Sequence, residues 1–142
     1  MPRIIVATDG SPGANRAVDA AAKLAKATRS RLVILTIGRN VSGAELRRLA
    51  EVKGDLCRTL VSEADKILGR ARQRARRHGI TAVQLQSGWG DPAKAIIDSV
   101  RAEKPDILVV GKRGHSPLAG LLLGSVSQKL ASLAPCKVIV VP

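Results

Sequence analysis

Aromatic residues are nearly absent from this chain: among its 142 residues there is one Trp, Trp89, and no Tyr or Phe. A surface of several rings on which bases could stack is therefore excluded, and with it the usual way of holding single-stranded nucleic acid. Cysteine is scarce too. Cys57 and Cys136 lie far apart without a Cys or His pattern around them, which argues against a metal site or a disulfide framework and for reduced, buried thiols. No run approaches the ~20 apolar residues of a membrane span, and the segment after Met1, Pro2 and Arg3 lacks a signal peptide's long apolar region, so a cytoplasmic location is expected. Acids are few, 11 against 24 Lys and Arg, for a net charge of +13. Such an excess attracts polyanions through its long-range field, and it reads equally as a basic surface with no partner.

What the chain does have is aliphatic residues in short blocks. With 45% hydrophobic content it can fill one core, and a single domain over 1–142 is expected. Arg3 to Thr8 and Arg31 to Ile37 are β-branched, nearly uniform runs, the pattern of strands buried on both faces. Between them Ser11 and Pro12 suit the cap and first turn of a helix with Ala14, Ala17, Val18, Ala21, Leu24, Ala25 and Thr28 on one stripe. Ser42-Gly43-Ala44-Glu45 reads as a capping box, opening a helical segment to His78 with a break near Gly54 and an inward stripe of Leu60, Ala64, Ile67, Leu68, Ala71 and Ala75. Opposite that stripe stand Arg70, Arg72, Arg74, Arg76 and Arg77. They fit a solvated helix end or a polyanion patch.

Thr81 to Gln86 alternates in the manner of an edge strand, and Asp91-Pro92 starts a helix with Ile96, Ile97 and Val100 inward. A fourth strand is expected over Asp106 to Val110, a helix from Ser125 burying Val126, Leu130 and Leu133, and a fifth strand over Cys136 to Val141. This regular alternation predicts an α/β domain with one open, mainly parallel five-stranded sheet and helices on both faces, doubly wound by right-handed crossovers. In such sheets ligands sit beyond the carboxyl ends of the strands, where the winding reverses.

Several nucleotide and catalytic patterns fail on inspection. There is no G-x-x-x-x-G-K-[ST] loop. Gly88-Trp89-Gly90-Asp91-Pro92-Ala93 imitates a dinucleotide fingerprint, but it follows the third strand and sets the Asp91 carboxylate where a pyrophosphate must bind. His115 is a general base by position only, and no Ser, His and acid cluster declares a nucleophile.

The segment from Asp106 to Val126 survives better. Gly111, Gly114 and Gly124-Ser125 space glycines along a strand-to-helix connection, where backbone N–H groups and a helix N-terminus can meet an anion. Ser125-Val126-Ser127-Gln128 reads as a capping box, so that Ser125 would cap its own helix when no ligand is bound.

In its Gly-x-x-Gly, nine residues, Gly-Ser pattern, in Ala7-Thr8-Asp9-Gly10-Ser11, in Leu35-Thr36-Ile37 and in the Gly88 turn, the whole chain resembles the universal stress protein family. It resembles that family's ATP-binding branch, since members that do not bind ATP tend to lack the glycines. The resemblance implies an adenine nucleotide alpha hydrolase-like fold and ATP as ligand. It implies Asp9 at the ribose or adenine side, Ile37 along the adenine slot, and Val110 and Gly111 against base and ribose. Gly114, Gly124, Ser125, Val126 and Ser127 would bind the phosphates, with Mg²⁺ on them assisting any hydrolysis. It further implies a homodimer paired through Val138 to Val141. The sequence departs from the family in Thr36, where His is frequent, in its basic charge and in its missing aromatics. A nucleotide-dependent regulator with at most slow hydrolysis is expected; a basic module for RNA, DNA or an acidic surface is the alternative.

Overall fold

A computed structural model describes residues 1–38, 54–112 and 123–142, with the backbone alone for 54–60. The capping box at Ser42 and the residues Arg113, Gly114 and His115 lie outside the described residues, as does the side chain of Cys57. Among the described residues the order is β1 (Arg3–Ala7), α1 (Pro12–Thr28), β2 (Arg31–Ile37), α2 (Gly54–Arg77), β3 (Val83–Gly88), α3 (Pro92–Glu103), β4 (Ile107–Gly111), α4 (Ser125–Leu133) and β5 (Lys137–Val141). The five strands form one sheet in the order β3-β2-β1-β4-β5, and every pairing is parallel. The winding reverses between β1 and β4, which opens a crevice at their carboxyl ends.

Side chains alternate across the sheet, so one strand feeds two cores. Ile4, Val6, Leu32, Ile34 and Val109 pack beneath α1 and α2, while Ile5, Val33, Leu35, Leu108 and Val110 pack beneath α3 and α4. Burial of each such side chain contributes about 1.5–3 kcal/mol before entropic costs. In α1, Ala17, Ala21 and Ala22 are fully buried, and their small size lets the helix lie close over β1 and β4.

Strand ends and burial differ from the sequence expectations at four places. Strand β3 begins two residues late, at Val83, and runs to Gly88, because pairing with Leu32 through Ile37 sets its extent. Thr28 at the end of α1 is exposed, its hydroxyl bonded back to the Leu24 carbonyl. Leu133 is 61% exposed because the last turn of α4 lies beyond the core that buries Leu130. Cys136 is only partly buried, and that burial pushes its thiol up in pKa against the lowering effect of a backbone hydrogen bond from Leu108.

Candidate functional site

At the carboxyl end of the sheet, the described residues that follow β1, β2, β3 and β4 are held by hydrogen bonds. After β1, the Thr8 N–H donates to the Leu35 carbonyl and the Gly10 N–H to Thr8 Oγ1. Gly10 takes φ +80°, a conformation that favours glycine. The Ser11 N–H donates to Asp9 Oδ1 at 2.9 Å, and buried Ser11 then accepts from Ala14 N, capping α1. After β2, the Gly38 N–H donates to the Gly88 carbonyl, and the Trp89 ring occupies the space where a side chain on Gly38 would stand.

After β3, Asp91 accepts from Lys94 N at 3.0 Å and caps α3, with Pro92 in the first turn. A carboxylate therefore fills that helix start, in keeping with the rejection of the fingerprint at Gly88. After β4, the Gly124 N–H donates to the Lys112 carbonyl at 2.9 Å, and Gly124 is the N-cap of α4 without any side-chain cap bond. Ser125 is thus the first helical residue and exposed; it does not cap its helix as the capping-box pattern suggested. The physical reason is that the Gly124–Lys112 bond already sets the cap one residue earlier, at Gly124.

Ser127 is buried at 4% exposure, and its one hydroxyl proton is shared between the carbonyls of Gly111, at 2.7 Å, and Lys112, at 2.8 Å. With the Gly124 N–H taken, the N–H groups of Ser125, Val126 and Ser127 have no acceptor among the described residues. Of the three helices whose N-caps are described, only α4 has no side-chain cap bond in its first turn.

A cleft of about 220 Å³ lies among these loops. Asp9, Ile37, Val110 and Gly111 line it from the strand ends, and Gly124, Ser125, Val126 and Ser127 from α4. The structure therefore brings together every site residue named from the sequence except Gly114, which falls outside the described residues. Sequence reasoning missed Ala7, Thr8, Ala14, Pro92, Ile96 and Leu130, which complete the lining. Thr8 was legible as the residue before Asp9 at a strand end. Pro92 and Ile96 were not, because nothing in their spacing says that α3 faces this cleft rather than the sheet alone.

The sequence profile of the universal stress protein family matches residues 1–142. Universal stress protein YxiE of Bacillus subtilis (strain 168) is 34% identical over 145 residues, spanning 98% of this chain and 97% of the relative. Universal stress protein Rv1636 of Mycobacterium tuberculosis (strain ATCC 25618 / H37Rv) is 35% identical over 140 residues, spanning 97% and 94%. A solved universal stress protein in complex with cAMP is 34% identical and superposes with a TM-score of 0.77 over 99% of this chain and 97% of that one. UspA from Lactobacillus plantarum, 22% identical, superposes with a TM-score of 0.84 over 99% and 97%, which establishes the common fold. A full-length profile match, two relatives above 30% identity and the same doubly wound sheet together identify this chain as a member of the universal stress protein family.

Proposed function

We propose that the cleft binds an adenine nucleotide, ATP, and that the chain works as a nucleotide-dependent regulatory domain. The observation that carries this reading is the uncapped first turn of α4 on one side of the cleft, facing an apolar wall with Ile37 on the other. Open N–H groups at a helix N-terminus suit phosphate oxygens, and the apolar wall suits a base. Asp9, which lines the cleft after β1, would reach the ribose. Val110 and Gly111 would touch base and ribose, and Gly114, Gly124, Ser125, Val126 and Ser127 the phosphates. Since the Ser127 hydroxyl is already donated to two carbonyls, its contribution would come from the backbone N–H.

The enclosed volume is smaller than the about 300–1,000 Å³ of drug-sized pockets, so only the nucleoside would be enclosed and the phosphates would lie along α4. The described lining offers no histidine and one carboxylate, Asp9, whose Oδ1 already accepts from Ser11. Such a set supplies no dedicated general base, and Mg²⁺ would be carried chiefly by the phosphates, so hydrolysis would be at most slow. We infer also that the chain pairs with a second copy along β5. That strand is a sheet edge with Ile139 38% exposed, and an apolar edge favours pairing.

A second reading, cyclic AMP as the ligand, draws on the relative of 34% identity solved with that nucleotide. Denaturing the purified protein and identifying the released nucleotide by mass spectrometry separates the two. ATP or its hydrolysis products support the first reading, and cAMP alone the second. Preparations without nucleotide that also fail to take up ATP, AMP or cAMP on addition would rule out both.

A further inference from the structure

The arginine run of α2 is only partly explained by the fold. Arg74 makes a two-pronged ion pair with Asp19 of α1, at 3.2 and 2.8 Å, and His78 reaches the same carboxylate at 3.1 Å. These bonds fasten α1 to α2 and use up the carboxylate of Asp19. Arg76 and Arg77 stand with Arg74 in the last turn, where a cation complements the helix dipole. Lys66, Arg70 and Arg72 lie earlier in the helix, beyond the short reach of that effect. From Lys66 to Gly90 the chain has no acid at all.

The exposed cations follow the helix geometry. Lys66, Arg70 and Arg77 recur at helical spacing along one outward ridge, with Arg72 and Arg76 beside it, and all five are exposed. Lys23 and Lys26 of α1, also exposed, extend the same layer. Among the described residues none of these seven enters an ion pair. Of the exposed large hydrophobics among the described residues, Val61, 43% exposed, is the one on α1 or α2, so this face offers little to insert into a lipid surface. Nor does it carry a ring for stacking, because Trp89 lies at the carboxyl end of the sheet.

We propose that the outer face of α1 and α2 is a docking surface for the phosphate backbone of double-stranded DNA, bound without regard to sequence. The ridge from Lys66 to Arg77 is about 16 Å long, a stretch over which a duplex presents roughly ten negative charges. Charge complementarity with no aromatic or apolar wedge is the chemistry of backbone contact alone. The surface is separate from the nucleotide cleft, so it stands or falls independently of ligand binding there.

The test is fluorescence anisotropy of a labelled duplex of about 20 base pairs titrated with the full chain across ~50 to ~200 mM salt. Binding is expected, with a slope of log K against log salt of about −3 to −5, as four or so phosphate contacts require. The variant Arg70→Gln/Arg72→Gln/Arg76→Gln/Arg77→Gln should bind at least about 10-fold more weakly at low salt and lose most of that slope. Circular dichroism and thermal melting establish that it is folded. The control Lys94→Gln/Arg101→Gln/Lys104→Gln/Lys129→Gln removes as many charges from the other helical layer and should bind as wild type does. No duplex binding at the lowest salt, or equal losses in the two variants, overturns the proposal. Tighter association with phosphatidylserine vesicles than with duplex reassigns the face to membrane and overturns it likewise.

Discussion

The hydroxyl of Ser127, in the first turn of α4, stands 2.7 Å from the carbonyl oxygen of Gly111 at the end of β4. Together with the Gly124–Lys112 bond it ties the start of α4 to the end of β4. The open N–H groups of α4 are thereby held at the cleft that the strand ends also line.

Replacing Ser127 with Ala removes this clasp without adding bulk. A loss of about 1 kcal/mol is expected for one buried hydrogen-bonding group, or about 3–4 °C in melting temperature. Nucleotide affinity should fall about fivefold, since the α4 donors are no longer pre-set. Ser127→Thr should keep most of both. Calorimetry of the three proteins decides the matter, and an unchanged melting temperature in the Ala variant would count against the clasp.

A larger residue at Gly111 is opposed by packing rather than by φ. A Cβ there would stand 3.0 Å from the carbonyl carbon and oxygen of Gly13 and 3.2 Å from Ala14 N, all backbone atoms that cannot swing aside. Gly111→Ala should cost about 1–3 kcal/mol by overpacking, read as a lower urea midpoint at constant m. A midpoint equal to wild type would mean that the start of α1 gives way freely.

How legible these relationships were in the sequence depended on how local their causes are. Strand β2 is read to its last residue because Arg31 to Ile37 is one apolar run bounded by breakers. Strand β3 is half-exposed, so its alternation located the element while its partner β2 decided its ends. The helix α4 starts at Ser125 as expected, but its cap is Gly124 rather than Ser125, because a Ser-x-x-Gln pattern cannot reveal that Lys112 captures the Gly124 N–H. The cleft residues Asp9, Ile37 and Gly124 were each legible as strand-end or helix-start positions, and the winding reversal brought them together. The pairing of Asp19 with Arg74 was not legible at all, because it depends on how α1 and α2 lie side by side.

That pairing predicts a pH dependence. Burial raises the pKa of Asp19, but hydrogen bonds and charge from Arg74 and His78 outweigh it and hold the carboxyl below its ordinary value. A group depressed in the folded state stabilises above its unfolded pKa, and that contribution is lost as pH falls through the folded value. Asp19→Asn should therefore cost about 1 kcal/mol at pH 7, and its difference from wild type should shrink below about pH 4. Denaturant melts at several pH values check this. A difference that grows on acidification would have the wrong sign.

Trp89, the only Trp in the chain, reports on the β2 and β3 ends without a label. Its ring lies where a side chain on Gly38 would be, so Gly38→Ala should displace it towards water. A red shift in intrinsic emission is expected. Unchanged emission would mean that the backbone at Gly38 moves instead of the ring.

The central claim is that the open first turn of α4 and the slot beside Ile37 form one adenine nucleotide site. Isothermal titration of ATP into wild type and Gly124→Val tests it most directly, because Gly124 is buried at the cleft wall and Val adds a branched side chain there. The account predicts saturable binding of ATP to wild type and at least about tenfold weaker binding, near 1.4 kcal/mol, to a variant that still melts cooperatively. Equal affinity in the two proteins, or GTP binding as tightly as ATP, would contradict it.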